Sequence, residues 1–171
     1  VIERARQQHV SDLIIPGARR QNWQRISVLC DQILHCHPCY GLHPYWSAHH
    51  TDDDIDALEP YLTAHPAVAV GECGLDFRQQ HVPDALAKLR QISQFERQLD
   101  IASRTRLPIV IHAVKATQAV IDILNDFPDV GGMIHSYSGS MEQAEVLAGK
   151  GFYVSISAMV TAGGRIFYVV D

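Results

Sequence analysis

Two patterns of apolar and polar positions alternate along this chain: short unbroken apolar runs, and longer stretches with a helical period. Residues 12–17 (DLIIPG) are a compact apolar run closed by Pro-Gly, and residues 67–70 lead into Gly71-Glu72-Cys73-Gly74-Leu75-Asp76. Residues 107–112 and 130–135 are apolar runs ending on His112 and His135, and residues 152–157 read FYVSIS. Short apolar runs bounded by turn signals predict strands buried on both faces. With a further strand expected over 39–43, the count is six. Between them lie helical stretches over 1–10, 23–34, 52–62, 83–106, 116–126 and 141–150. The second has apolar residues at 23, 26, 29 and 33. The third opens with an acidic turn that suits the helix dipole. The fourth carries Leu86, Leu89, Ile92, Phe95, Leu99 and Ala102 along one stripe. Gly151 ends the last.

Strand and helix in alternation predict a parallel α/β architecture. An open, doubly wound sheet is the natural alternative at this length, but no glycine-rich phosphate loop follows the first strand. The residues able to carry chemistry, His43, Glu72, His112 and His135, stand instead at the C-terminal ends of several strands. A (β/α)8 TIM barrel distributes its catalytic residues in that way. Such barrels take roughly 200 residues or more, and this chain has 171. The expected architecture is therefore one barrel domain over residues 1–171, with about six of eight βα units present and an end missing on each side.

Composition narrows the class. With 47% hydrophobic and 19% charged residues, the chain reads as soluble and globular. No apolar run approaches the roughly 18 residues of a membrane helix and no export pattern opens the chain, so a cytoplasmic location is expected. The net charge of -5 gives no electrostatic argument for a nucleic acid partner. Divalent cations can supply local positive charge to an acidic protein. The four cysteines do not form a secreted disulfide framework. No obligate protein partner is indicated.

Ten histidines leave the main question of which matter. Two imidazoles and a carboxylate with open positions form a recognised catalytic metal set, and Glu72, His112 and His135 are expected to be that set. His43 has two readings, a contact to a substrate phosphate and a hydrogen-bonded turn histidine. Asp76 is either a partner that orients a ligand or a turn residue. Ser138 and Ser140 are suited to bind phosphate or to cap the helix that begins near Met141. The segment His35-Cys36-His37-Pro38-Cys39 contains an HxH and a CxxC, but it enters its strand and so belongs to the opposite end; it is read as binding no metal. Trp23 has core spacing. Tyr45 and Trp46 follow Gly41-Leu42-His43-Pro44 on a loop suited to stack on a base.

The blocks GLHP (41–44), VGECGLDF (70–77), LPIVIHA (107–113), IHSYSGS (134–140) and GFYVSIS (151–157) resemble those of the TatD-type metal-dependent DNases among the amidohydrolase-like barrels. The match runs in order from about Ser11 to Ser157. The resemblance implies a TIM barrel, divalent metal ions (Zn, Mg or Mn; two in a complete site, one where the set is partial), and DNA as the hydrolysed substrate. It also implies that Glu72 bridges two metals while His112 and His135 bind one. The family's first-strand HxH and last-strand Asp have no counterpart here. The pattern ends after about Ala162, and Asp171 is not carried over. Ala113-Val114 stands where the family usually has Ser-Arg, so one phosphate or substrate contact is lost unless Lys115 substitutes. Two alternatives stand beside DNA hydrolysis: lactone or amide hydrolysis with the same ligands, and a non-catalytic remnant with an incomplete metal site.

Overall fold

The computed structural model describes residues 2–157, and the segment containing Ala162 and Asp171 lies outside them. Six parallel strands stand side by side in chain order: β1 (Leu13–Pro16), β2 (Cys36–Tyr40), β3 (Ala69–Asp76), β4 (Ile109–Val114), β5 (Gly132–His135) and β6 (Phe152–Val154). The helices are α1 (Ile2–Gln7), α2 (Arg20–Gln32), α3 (Asp52–Asp56), α4 (Leu58–Ala64), α5 (Ala85–Thr105), α6 (Thr117–Leu124) and α7 (Met141–Gly149), with a 3-10 turn at Pro44–His49. A doubly wound sheet reverses its strand order at a switch point; this one never does. Right-handed crossovers in one direction keep successive helices on one side of the sheet, the winding of a barrel.

The sheet has two unlike faces. Val70 and Leu75 of β3, Ile109 and Ile111 of β4 and Ile134 of β5 pack with Phe95, Leu99, Val120 and Leu147 from the helices. Burying each such side chain contributes about 1.5–3 kcal/mol. Trp23 belongs to this core, as its spacing predicts, and its Nε1–H donates to the Gly41 carbonyl at 3.1 Å. Val110 lies between Ile109 and Ile111 and so points the other way, where it clusters with Cys39, Ala69 and Met133. His112 and His135 are paired in register two residues further along that second face. The second face carries the chemistry.

Several boundaries differ from the sequence reading, each for a physical reason. β2 spans Cys36–Tyr40 rather than 39–43, because Leu42 bonds to a helix side chain instead of a strand. β3 runs on through its glycines to Asp76, with a register shift against β4 between Val70 and Cys73. The helix expected over 52–62 is two helices meeting at Ala57; Pro60 has no N–H to continue one ladder. In α2 the stripe winds from Trp23 and Ile26 to Ser27 and Cys30, and Leu29 is exposed. In α5, Leu86 and Leu89 are 66% and 61% exposed, and burial begins at Gln91.

Candidate metal centre

The centre begins with two glycines. Gly71 and Gly74 have φ of 136° and 125°, a region side-chain-bearing residues rarely adopt. A Cβ would also stand 2.6 Å from the Val110 carbonyl at Gly71 and 2.2 Å from the His112 carbonyl at Gly74. No other residue fits. The peptide between Gly71 and Glu72 is cis. Between these glycines the Glu72 side chain reaches His43, from the loop after β2, and His112 of β4.

Glu72 Oε1 lies 3.3 Å from His112 Nδ1 and 3.6 Å from His43 Nε2. Among the described residues, His43, Glu72 and His112 are the group of three whose ligand atoms all fall within 4.8 Å of one another. Burial acts to raise the Glu72 pKa, but the polar contacts with the His112 and His43 rings outweigh it and hold the carboxyl at about 2. The group is therefore an anion at any ordinary pH.

The two imidazoles have different chemistry. His112 Nε2 lies 2.9 Å from Asp76 Oδ2. A fully buried carboxylate there takes the ring's N–H, which leaves the Nδ1 lone pair facing Glu72, a pairing that a cation between them would satisfy. His43 is turned the opposite way: its Nδ1 accepts the Tyr45 backbone N–H at 3.2 Å. A neutral His43 then carries its proton on Nε2 and faces the centre as a donor. So Glu72 and His112 fit a divalent cation, and His43 fits an anion beside it.

Asp76 is itself held. Arg78 donates from Nε to Oδ1 at 2.9 Å and from a terminal nitrogen to Oδ2 at 2.7 Å, a forked pair. Burial acts to raise the Asp76 pKa, but Arg78 and then His112 hold it at about 2. Arg78 also bonds the Tyr45 hydroxyl. Tyr45 packs edge-on to His43 and His112, with ring centres 4.4 and 5.1 Å away.

Sequence reasoning missed the support beneath the centre. Gln91, Gln94 and Gln98 of α5 are buried. The Gln98 amide accepts from Leu42 N–H at 2.8 Å and donates to the Leu42 carbonyl at 3.2 Å, next to His43. Gln94 donates to the Ser47 carbonyl, and Gln91 accepts the Asp76 backbone N–H at 2.8 Å. The signal was available, since glutamines at 91, 94 and 98 share the helical face of Phe95, Leu99 and Ala102. Arg78 was missed because only the fold shows which carboxylate it meets.

The remaining expectations fall at the same end of the sheet or away from it. His135 ends β5 beside His112, exposed, its Nδ1 3.4 Å from Ser155 Oγ. Its ring is not in the group of three. Lys115 and Ser138 are exposed just after β4 and β5. Ser140 caps α7, accepting the Gln143 N–H. Trp46 lies under the Arg19 guanidinium at 4.1 Å. At the other end of β2, His35 and His37 contact Asp12, and Cys36 Sγ lies 3.3 Å from Cys30 Sγ. No helix among the described residues is long and apolar enough to cross a membrane.

Comparison with known proteins fits this geometry. The family model described as TatD related DNase matches residues 1–165. The metal-dependent hydrolase YabD of Bacillus subtilis, named as uncharacterized, is 30% identical over 163 residues, covering 94% of this chain and 62% of its own length. The 3'-5' ssDNA/RNA exonuclease TatD of Salmonella typhimurium is 28% identical over 162 residues, covering 94% and 61%. The crystal structure of YjjV, a TatD homologue from Escherichia coli, superimposes with a TM-score of 0.81 at 31% identity, over 89% of this chain and 58% of that one. The chain thus spans about three fifths of the length of these relatives. The winding of the sheet, the carboxylate between two glycines and the match over residues 1–165 agree: the chain belongs to the TatD related DNase family of metal-dependent hydrolases.

Proposed function

We propose that this chain contributes to a metal-dependent phosphodiesterase whose substrate is DNA. The observation that carries the reading is His112, held through Nε2 by a buried carboxylate with its other nitrogen turned to Glu72. In this reading Glu72, His112 and the neighbouring His135 hold the cation, and imidazole with carboxylate suits Zn or Mn above Mg. A divalent cation there neutralises phosphate charge and makes water a better nucleophile. The protein's own residues do the rest. His43 donates its Nε2–H to a phosphate oxygen beside the cation. In the same reading Lys115 and Ser138, exposed just after β4 and β5, bind further oxygens of the backbone. Asp76 keeps His112 in its tautomer and Arg78 keeps Asp76 in place. Nucleic acid, rather than a lactone or amide, follows from the exonuclease name of relatives at 28% identity.

The test is metal titration by calorimetry together with chelator-sensitive cleavage of single-stranded and duplex DNA. His112→Ala should lose metal, whereas His43→Ala should keep it and bind DNA less well. Equal metal affinity in the parent and His112→Ala would overturn the assignment.

A further inference from the structure

Beside the metal centre is a cleft of about 290 Å³ between the 3-10 turn and the first turns of α5. Tyr45 is its shared wall, since the same ring packs edge-on to His43 and His112. His81 stacks on Tyr45 with centroids 4.4 Å apart and planes 6° from parallel, and Arg78 lies over the Tyr45 ring at 5.0 Å, which leaves the outer face of the His81 imidazole as the flat aromatic surface of the pair. Leu86 and Ala87 add aliphatic lining. Leu86 is thus an exposed leucine on the wall of a cleft, away from the core its spacing had predicted. Gln80 supplies amide donors and an acceptor. The side chain of Arg90, also lining the cleft, makes no ion pair or hydrogen bond with the described residues. The Asp84 carboxylate is engaged in capping α5 through the Ala87 N–H.

We propose that this cleft binds the nucleobase of the nucleotide next to the phosphodiester being cleaved, a reading that rests on the nuclease function above. An imidazole face with aliphatic lining and an amide beside it matches a base, whose faces are apolar and whose edge is polar. The volume is at the small end of ligand sites, which run roughly 300–1,000 Å³, and suits one nucleotide unit rather than a base pair. Arg90 lies where the free cation meets a flanking phosphate. The cleft therefore favours an unpaired strand, because a paired base must first be unpaired and unstacked, at a cost in free energy, to enter.

Short single-stranded DNAs with one abasic position, moved along the strand, test this in the full chain loaded with Mn. Binding is read by fluorescence anisotropy and cleavage by gel. One abasic position should weaken binding about tenfold, within the range for lost base–aromatic stacking. Ala87→Trp, which fills the cleft, should bind intact and abasic strands alike. Arg90→Ala, on an exposed helix surface, should lower the slope of log affinity against log salt by about 1. Metal-dependent cleavage with no abasic position standing out would overturn the cleft assignment and leave the nuclease reading intact. Absence of both binding and cleavage in the parent chain would overturn both.

Discussion

Two histidine–carboxylate groups stand at opposite ends of β2, alike in residue type and in little else. Past its C-terminal end, His43, Glu72 and His112 have side chains 11–13% exposed. Each imidazole there has a hydrogen bond on the nitrogen turned away from Glu72, to Asp76 or from Tyr45, that fixes which nitrogen bears the proton. At its N-terminal end, one oxygen of Asp12 takes both His35 and His37, and those side chains are 39–54% exposed. Neither lower imidazole has another hydrogen-bond partner among the described residues. Water competes for every contact in the lower group and for few in the upper. What makes an imidazole a metal ligand is the group behind it, not the carboxylate in front.

The comparison can be broken most directly at Glu72. Glu72→Ala should abolish stoichiometric metal and reduce DNA cleavage to background, while His35→Ala with His37→Ala should leave both unchanged. Metal content by plasma emission spectroscopy decides it, and a lower-end variant that loses the metal would reverse the comparison. Next in size is Asp76→Asn, which should weaken metal binding roughly 10–100-fold by releasing His112. His43→Ala should raise KM for DNA about tenfold with metal content unchanged, the loss of one hydrogen bond to a charged group. Gln98→Leu leaves the Leu42 N–H and carbonyl without partners and should cost about 1–3 kcal/mol in urea unfolding.

The smallest effect is one of pH on the metal-free chain. Glu72 and Asp76 are held at about 2, below the ordinary 4.5 and 3.8. The folded state binds fewer protons, so their stabilisation is complete above the ordinary values and is lost as pH falls toward 2. Asp76→Asn should flatten that part of the stability curve, measured by urea midpoints. An unchanged acid slope would show that Asp76 is not held as described.

Much of this frame was legible in the chain. Each apolar run named its strand, and the polar residue closing it named the end where chemistry gathers, as with His112 and His135. Alternation gave the parallel α/β architecture, and the lack of a glycine-rich loop after the first strand, with His43, Glu72, His112 and His135 at strand ends, chose the (β/α)8 winding. Other features depend on contacts between residues distant in sequence. Gln91, Gln94 and Gln98 look like solvated helix residues until the loop that bonds them is in place, and Leu86 looks like core. His43 could be placed at the rim, but its tautomer is set by the Tyr45 N–H, which no spacing encodes. Neither the Asp76–Arg78 fork nor its action on His112 can be read before β3 and β4 are in register.

The glutamines of α5 grip main-chain atoms of Leu42, Pro44 and Ser47, not side chains. The course of the segment that carries His43 is therefore indifferent to what it displays. Trp46, whose ring meets Arg19 and His49, occupies a position that can change identity while the loop keeps its path, whereas Tyr45 is tied through Arg78 to Asp76 and packs on His43 and His112. Gln98 acts as a fixed template beneath a variable display. On the proposed function, exchanging residue 46 should shift which nucleic acid strands are preferred, with the fold and the His112–Asp76 pair carried through unaltered.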